Sequence, residues 1–188
     1  LIEFRKDLDF IGALAVARRE GKIIVPNCVY DGILSSFDRE LTIRLLGHTG
    51  TVVIYEARGK ALGDSFLYKD KYISIKFTIP SQFQGRTDCV LVAEHPDFEL
   101  LPVGTGSYEL KVPDENTLHA LSDFPRNGGW HRLDGVFEIP VLRKSAGTNS
   151  TTGYLHRLNS GYLGPVARGV ELDIDALGWL DCFSVGFF

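Results

Sequence analysis

Tyr72-Ile73-Ser74-Ile75-Lys76-Phe77-Thr78-Ile79 decides the fold class, because a large apolar residue recurs there at every second position. Ile73, Ile75, Phe77 and Ile79 point one way, with Ser74, Lys76 and Thr78 opposite. A period of two is that of an extended strand with one face buried and one face wet. Just upstream, residues 65–68 are the natural partner, reached through the polar tip Lys69-Asp70-Lys71, so the pair predicts a β-hairpin.

Working toward the N-terminus, Leu41, Ile43 and Leu45 alternate with Thr42 and Arg44, and Gly47-His48-Thr49-Gly50 supplies a tight connection. Residues 51–57, rich in β-branched side chains, read as the returning strand. Asp31-Gly32 marks a turn, and residues 22–25 a short strand stopped by Pro26. Phe4, Leu8, Ile11, Leu14 and Ala15 fall at helical spacing, which predicts an amphipathic helix from the start of the chain. Gly21 suits its C-terminal cap.

Toward the C-terminus, residues 87–94 and 107–112 read as strands joined by a connection containing Pro and Gly. Asp114 is placed to cap a short helix over 114–122, with Leu118 and Leu121 inward. Residues 136–142 form a further strand in which Pro140 marks an edge or a bulge. Residues 144–153 are a polar loop, and Val170, Leu172 and Ile174 resume the alternation. The expectation is an α+β fold, mainly an antiparallel sheet or sandwich of hairpins, with one N-terminal helix and a short helix near 114–122.

A chain of 188 residues fits one core, and no linker divides it, so residues 1–188 are expected to be a single domain. It begins at Leu1 and closes on Phe187-Phe188, which reads as a chain cut or processed at one or both ends. Hydrophobic residues are 44% and charged residues 23%, the balance of an ordinary globular protein rather than a disordered one. The formal charge of −4 argues against a protein built to follow a phosphate backbone. Charge is uneven, however. Residues 126–168 carry Arg126, Arg132, Arg143, Lys144, Arg157 and Arg168 against Asp134 and Glu138, a local +4, while the remaining residues to the C-terminus carry −4. Cys28, Cys89 and Cys182 are odd in number and widely spaced, so they predict neither a zinc knuckle nor a disulfide framework and favour a reducing, cytoplasmic setting. No window reaches the ~18 apolar residues of a membrane-spanning helix.

Three residues are candidates for chemistry: Asp88, Glu109 and Lys111. If the strands at 87–94 and 107–112 paired antiparallel, Asp88 would approach Glu109 and Lys111, which share a face by the two-residue period. Two carboxylates brought together can hold Mg²⁺, and a lysine beside them can stabilise charge developing on phosphate. This pattern resembles the PD-(D/E)xK nucleases over residues 87–112, although Thr87 stands where the family has its proline. The resemblance implies a metal-dependent nuclease with Asp88 and Glu109 as metal ligands and Mg²⁺ as its cofactor; without it, no cofactor is expected. The same Glu-x-Lys pattern also decorates solvent-facing strands as a simple ion pair.

His48, His95, His119, His131 and His156 have no metal-binding spacing, no G-x-S-x-G is present, and Gly104-Thr105-Gly106 lacks the third glycine of a dinucleotide cradle. The aromatics Trp130, Tyr154, Tyr162 and Trp179 are interleaved with Asn and Ser in the loop-rich final third, a mixture that suits recognition. The leading expectation is therefore a non-catalytic binding or assembly module. Its face, about 126–168, would use Arg132, Arg143, Lys144, Tyr154, His156, Arg157, Tyr162 and Arg168 toward a protein, glycan or nucleic-acid partner, with a homo-oligomer or a larger assembly as the expected setting. The alternative is the nuclease.

Overall fold

The structure, a computed structural model, describes residues 1–27, 29, 47–55, 63–68, 71–86, 90–121, 129–133, 137–141, 162–168, 179–180 and 183–188. In chain order these form β1 (Glu3–Leu8), α1 (Phe10–Glu20), β2 (Gly47–Tyr55), β3 (Gly63–Tyr68), β4 (Lys71–Phe77), β5 (Val90–Glu94), β6 (Glu99–Gly104), β7 (Ser107–Lys111), β8 (His119–Leu121), β9 (Gly129–Leu133), β10 (Phe137–Val141), β11 (Tyr162–Arg168) and β12 (Phe183–Phe187). The predicted strand over residues 41–45, the loop 144–153 and the alternation at 170–174 lie outside the described residues.

The strand-rich α+β architecture agrees with the sequence reading, and the decisive hairpin is present. β3 and β4 pair antiparallel from Gly63–Lys76 to Tyr68–Lys71. Ile73, Ile75 and Phe77 are buried, whereas Tyr72 and Lys76 are exposed. Full burial of a side chain such as Ile75 contributes about 1.5–3 kcal/mol, so this alternation anchors the sheet.

Several expectations are corrected. Residues 3–8 are a strand, and α1 begins only after Asp9, whose side chain accepts from the Gly12 amide at 2.6 Å. An aspartate in extended conformation before an apolar run is a helix start, and it overrides the helical spacing of Phe4 and Leu8. The helix does end at Gly21, with φ 63° and its amide bonded to the Ala17 carbonyl. Gly47 to Gly50 is the beginning of β2 rather than a turn. Asp114 caps only a single 3₁₀ turn, Glu115–Thr117, after which β8 is extended, so no helix spans 114–122. The connection before β7 contains a strand of its own, β6.

Pairing is mixed rather than purely antiparallel. A four-stranded sheet runs β3-β4-β7-β6, with β4 and β7 parallel. In the six-stranded sheet β2 is central. β11 runs antiparallel along one edge of β2, and the other edge is divided between β5, antiparallel at 51–54, and β12, parallel at 47–48. β1 closes the outer edge of β12, and β8 lies outside β5. Where β5 and β12 part, Gly50 bridges the gap: its amide donates to the Val25 carbonyl at 2.7 Å and its carbonyl accepts from the His95 amide at 2.8 Å.

A single core joins both sheets to the helix. Phe10, Ala13, Val16 and Ala17 of α1 meet Val52, Ile54, Leu91, Ala93 and Leu163 of the larger sheet and Ile75, Phe77 and Leu110 of the smaller one. Trp179 lies within it, edge-on to Phe10 at 5.4 Å, with its indole donating to the Leu163 carbonyl. Its own carbonyl accepts the first two helical amides, of Phe10 and Ile11, supplying partners that a helix N-terminus lacks. On the opposite face of the larger sheet Thr51, Val53, Val90 and Val92 are buried too. Burial on both faces explains why Val52-Val53-Ile54 and Val90-Leu91-Val92-Ala93 read as unbroken apolar runs.

Candidate functional site

The pairing that would have joined Asp88 to Glu109 is not formed. β5, which follows Asp88, pairs with β2 and β8, whereas β7 pairs with β4 and β6 in the other sheet. Asp88 itself lies outside the described residues. Glu109 and Lys111 do share a face of β7, their charged groups 3.7 Å apart with the lysine 53% exposed. Lys76 stands opposite Glu109, and Glu99 opposite Lys111, so the wet face of this sheet is a lattice of alternating charges.

Of the predicted recognition residues, Arg132 lies on β9, opposite Glu138 of β10 in a two-stranded sheet, and Tyr162 and Arg168 open and close β11. Arg143, Lys144, Tyr154, His156 and Arg157 lie outside the described residues. Among the described residues, no three of His, Cys, Asp and Glu gather as metal ligands would, and no helix is long and apolar enough to cross a membrane.

A polar cluster that sequence reasoning passed over sits where β5 ends. Glu94 is the last residue of β5 and stands directly opposite Thr51 of β2. The Thr51 hydroxyl donates to Glu94 Oε1 at 2.6 Å and accepts the Asn27 amide at 2.9 Å. Glu94 Oε2 is buried, with no hydrogen-bond partner among the described residues. Burial pushes the Glu94 carboxyl up to about 7, the charge of Asp97 adds to this, and the bond from Thr51 opposes it. Desolvation favours the neutral acid because an ionised carboxylate loses its hydration. Two residues earlier on β2, the Thr49 hydroxyl donates to the Val166 carbonyl at 2.8 Å, tying β2 to the irregular part of β11.

His95 follows in a turn closed by the Asp97 amide on the Glu94 carbonyl, with a cis His95–Pro96 bond. Its Nδ1 accepts the Ile24 amide at 3.1 Å, and the ring stands edge-on to Phe98. Accepting through Nδ1 places the proton of the neutral ring on Nε2. Burial lowers its basicity, to about 4, against the opposing pull of Asp97. Neighbouring residues thus have titrations displaced in opposite directions, an acid that stays protonated and an imidazole that stays neutral. The available signal in sequence was Glu94-His95 closing the apolar run 90–93, a place where polar side chains need buried partners.

No protein-family model matches the chain, and no curated protein or solved structure matches it either.

Proposed function

We propose that the chain is a binding module that offers the basic, aromatic-bearing segment 126–168 to a negatively charged macromolecule. One observation carries this reading. The segment departs from the larger sheet after β8 and rejoins it at β11, in the spatial order β11-β2-β5-β8. Its two ends are therefore held three strand spacings apart, about 14 Å, on strands whose neighbours are buried. Within it, β9 and β10 pair with each other and, among the described residues, with no strand of the larger sheets. A long excursion anchored at both ends on a rigid scaffold is the usual construction of a recognition loop. Its local charge of +4 in a chain of net −4 favours an acidic partner.

The test is retention of polyglutamate, a sulfated glycan and a single-stranded oligonucleotide by the wild type and by an Arg143→Glu/Lys144→Glu/Arg157→Glu variant. At least one probe should bind in a salt-sensitive manner and weaken by roughly ten-fold or more in the variant. Failure of all three probes, or equal binding by the variant, removes the reading. A Mg²⁺-dependent nuclease is the second reading; it rests on the Glu109-x-Lys111 pattern, and Asp88 would have to reach it from outside the β5–β7 pairing first expected.

A further inference from the structure

We propose that His95 latches residues 23–27 onto the larger sheet and releases them when its ring takes up a proton. This stands apart from the binding reading, since it concerns residues 23–27 and the turn after β5. Residues 23–27 run between β12 and the turn after β5, and nearly every peptide group there is fastened. Ile23 exchanges two backbone bonds with Phe188, the Val25 amide donates to Gly186, and the Val25 carbonyl accepts from Gly50. Ile24 and Asn27 differ. Their amides go to side chains, His95 Nδ1 and Thr51 Oγ1.

A backbone carbonyl accepts at any pH, but an imidazole nitrogen accepts only while it keeps its lone pair. Protonation of Nδ1 sets an N–H against the Ile24 N–H, so the bond is replaced by a repulsion. Ile24 is fully buried, and an amide stranded there carries the whole desolvation penalty. The segment can recover a partner only by moving outward, which takes Ile24 and Val25 off the core and loosens the bridge between Ile24 and Phe187. The surroundings make the ring the deciding group. Asp97 and Glu94 are the ionisable residues beside it on its own turn, with Asp97 favouring the charged ring. Residues 23–27 and β12 contain none, and β2 faces the turn with Gly50 and Thr51.

Nuclear magnetic resonance of the full chain between pH 7.5 and pH 3.5 tests this, following the His95 ring and the Ile24 amide together, with α1 amides as controls. Both should change in one transition well below the ordinary histidine range, while the α1 amides hold. In Asp97→Asn the two should move together to lower pH. In His95→Gln, whose side-chain oxygen accepts at any pH, the Ile24 transition should vanish. At pH 4 the intrinsic-rate-corrected exchange of the Ile24 amide should be roughly ten-fold faster in the wild type than in His95→Gln. The proposal is overturned if the ring titrates while the Ile24 amide stays unchanged, if the two separate in Asp97→Asn, or if the transition survives in His95→Gln. Should His95→Gln not fold, the Asp97→Asn titration decides alone.

Discussion

Thr51 donates its hydroxyl proton to Glu94 across the β2–β5 register at 2.6 Å, and the same oxygen receives the Asn27 amide. One hydroxyl therefore satisfies two buried groups from different parts of the chain. Thr51→Val keeps the shape and removes the hydroxyl. It should cost about 1–3 kcal/mol in urea unfolding, because two polar groups lose their partner at once. It should also raise the Glu94 titration further, since the Thr51 bond is what lowers it. A variant as stable as the wild type would mean that the hydroxyl bears no weight in the core.

The opposed titrations of Glu94 and His95 give a pH signature. The Glu94 carboxyl is raised from 4.5 to about 7, so its contribution is full below 4.5 and is lost as pH rises through 7. The His95 ring is lowered from 6.5 to about 4, so its contribution is full above 6.5 and is lost as pH falls through 4. Between 4.5 and 6.5 the two slopes cancel, each up to about 1.4 kcal/mol per pH unit. Glu94→Gln should accordingly show stability rising with pH from 4 to 6.5, and His95→Gln stability falling from 4.5 to 7. Unfolding midpoints across this range measure it, and slopes of the same sign in both variants would refute the pairing.

Gly106 and Gly85 both have positive φ, 67° and 74°, but only Gly106 is crowded, with the Tyr72 carbonyl oxygen where a Cβ would go. Gly85→Ala should cost about 1 kcal/mol from backbone conformation alone. Gly106→Ala should cost about 2–4 kcal/mol, because a steric term against backbone adds to the conformational one. Thermal unfolding of the two variants side by side gives the comparison.

Glu109→Ala separates chemistry from stability. The Glu109–Lys111 pair lies on a wet sheet face, so its loss should change stability by less than about 1 kcal/mol. If wild type cleaves DNA or RNA with Mg²⁺, the variant should lose that cleavage. Absence of cleavage by wild type under any divalent ion ends the nuclease reading.

Local signals were legible in the sequence and distant ones were not. The β3–β4 hairpin could be read because alternation and turn lie within 15 consecutive residues. β1 could not, because its partner is β12, at the far end of the chain, and before that pairing is known Phe4 and Leu8 fit a helix as well as a strand. The Asp9 cap was the local clue that settled the boundary. β6 was obscured by Pro102 and Gly104, which an edge strand tolerates. The helix over 114–122 failed because Asp114 capped a turn and β5 then captured residues 119–121 as a neighbouring strand. Glu94 and His95 belong to no spacing motif, since their partners, Thr51 and Ile24, come from two segments far from them in sequence.

β12 is inserted between β1 and β2, so the earliest strand of the larger sheet has no edge to join until residues 183–187 exist. A nascent chain leaving the ribosome can assemble β3 with β4 as soon as both emerge. It must nonetheless hold residues 3–8 and 23–25 in waiting until residues 183–188 have emerged. Nonlocal closure of this kind slows folding. It also makes β12 the keystone that locks β1 into the sheet.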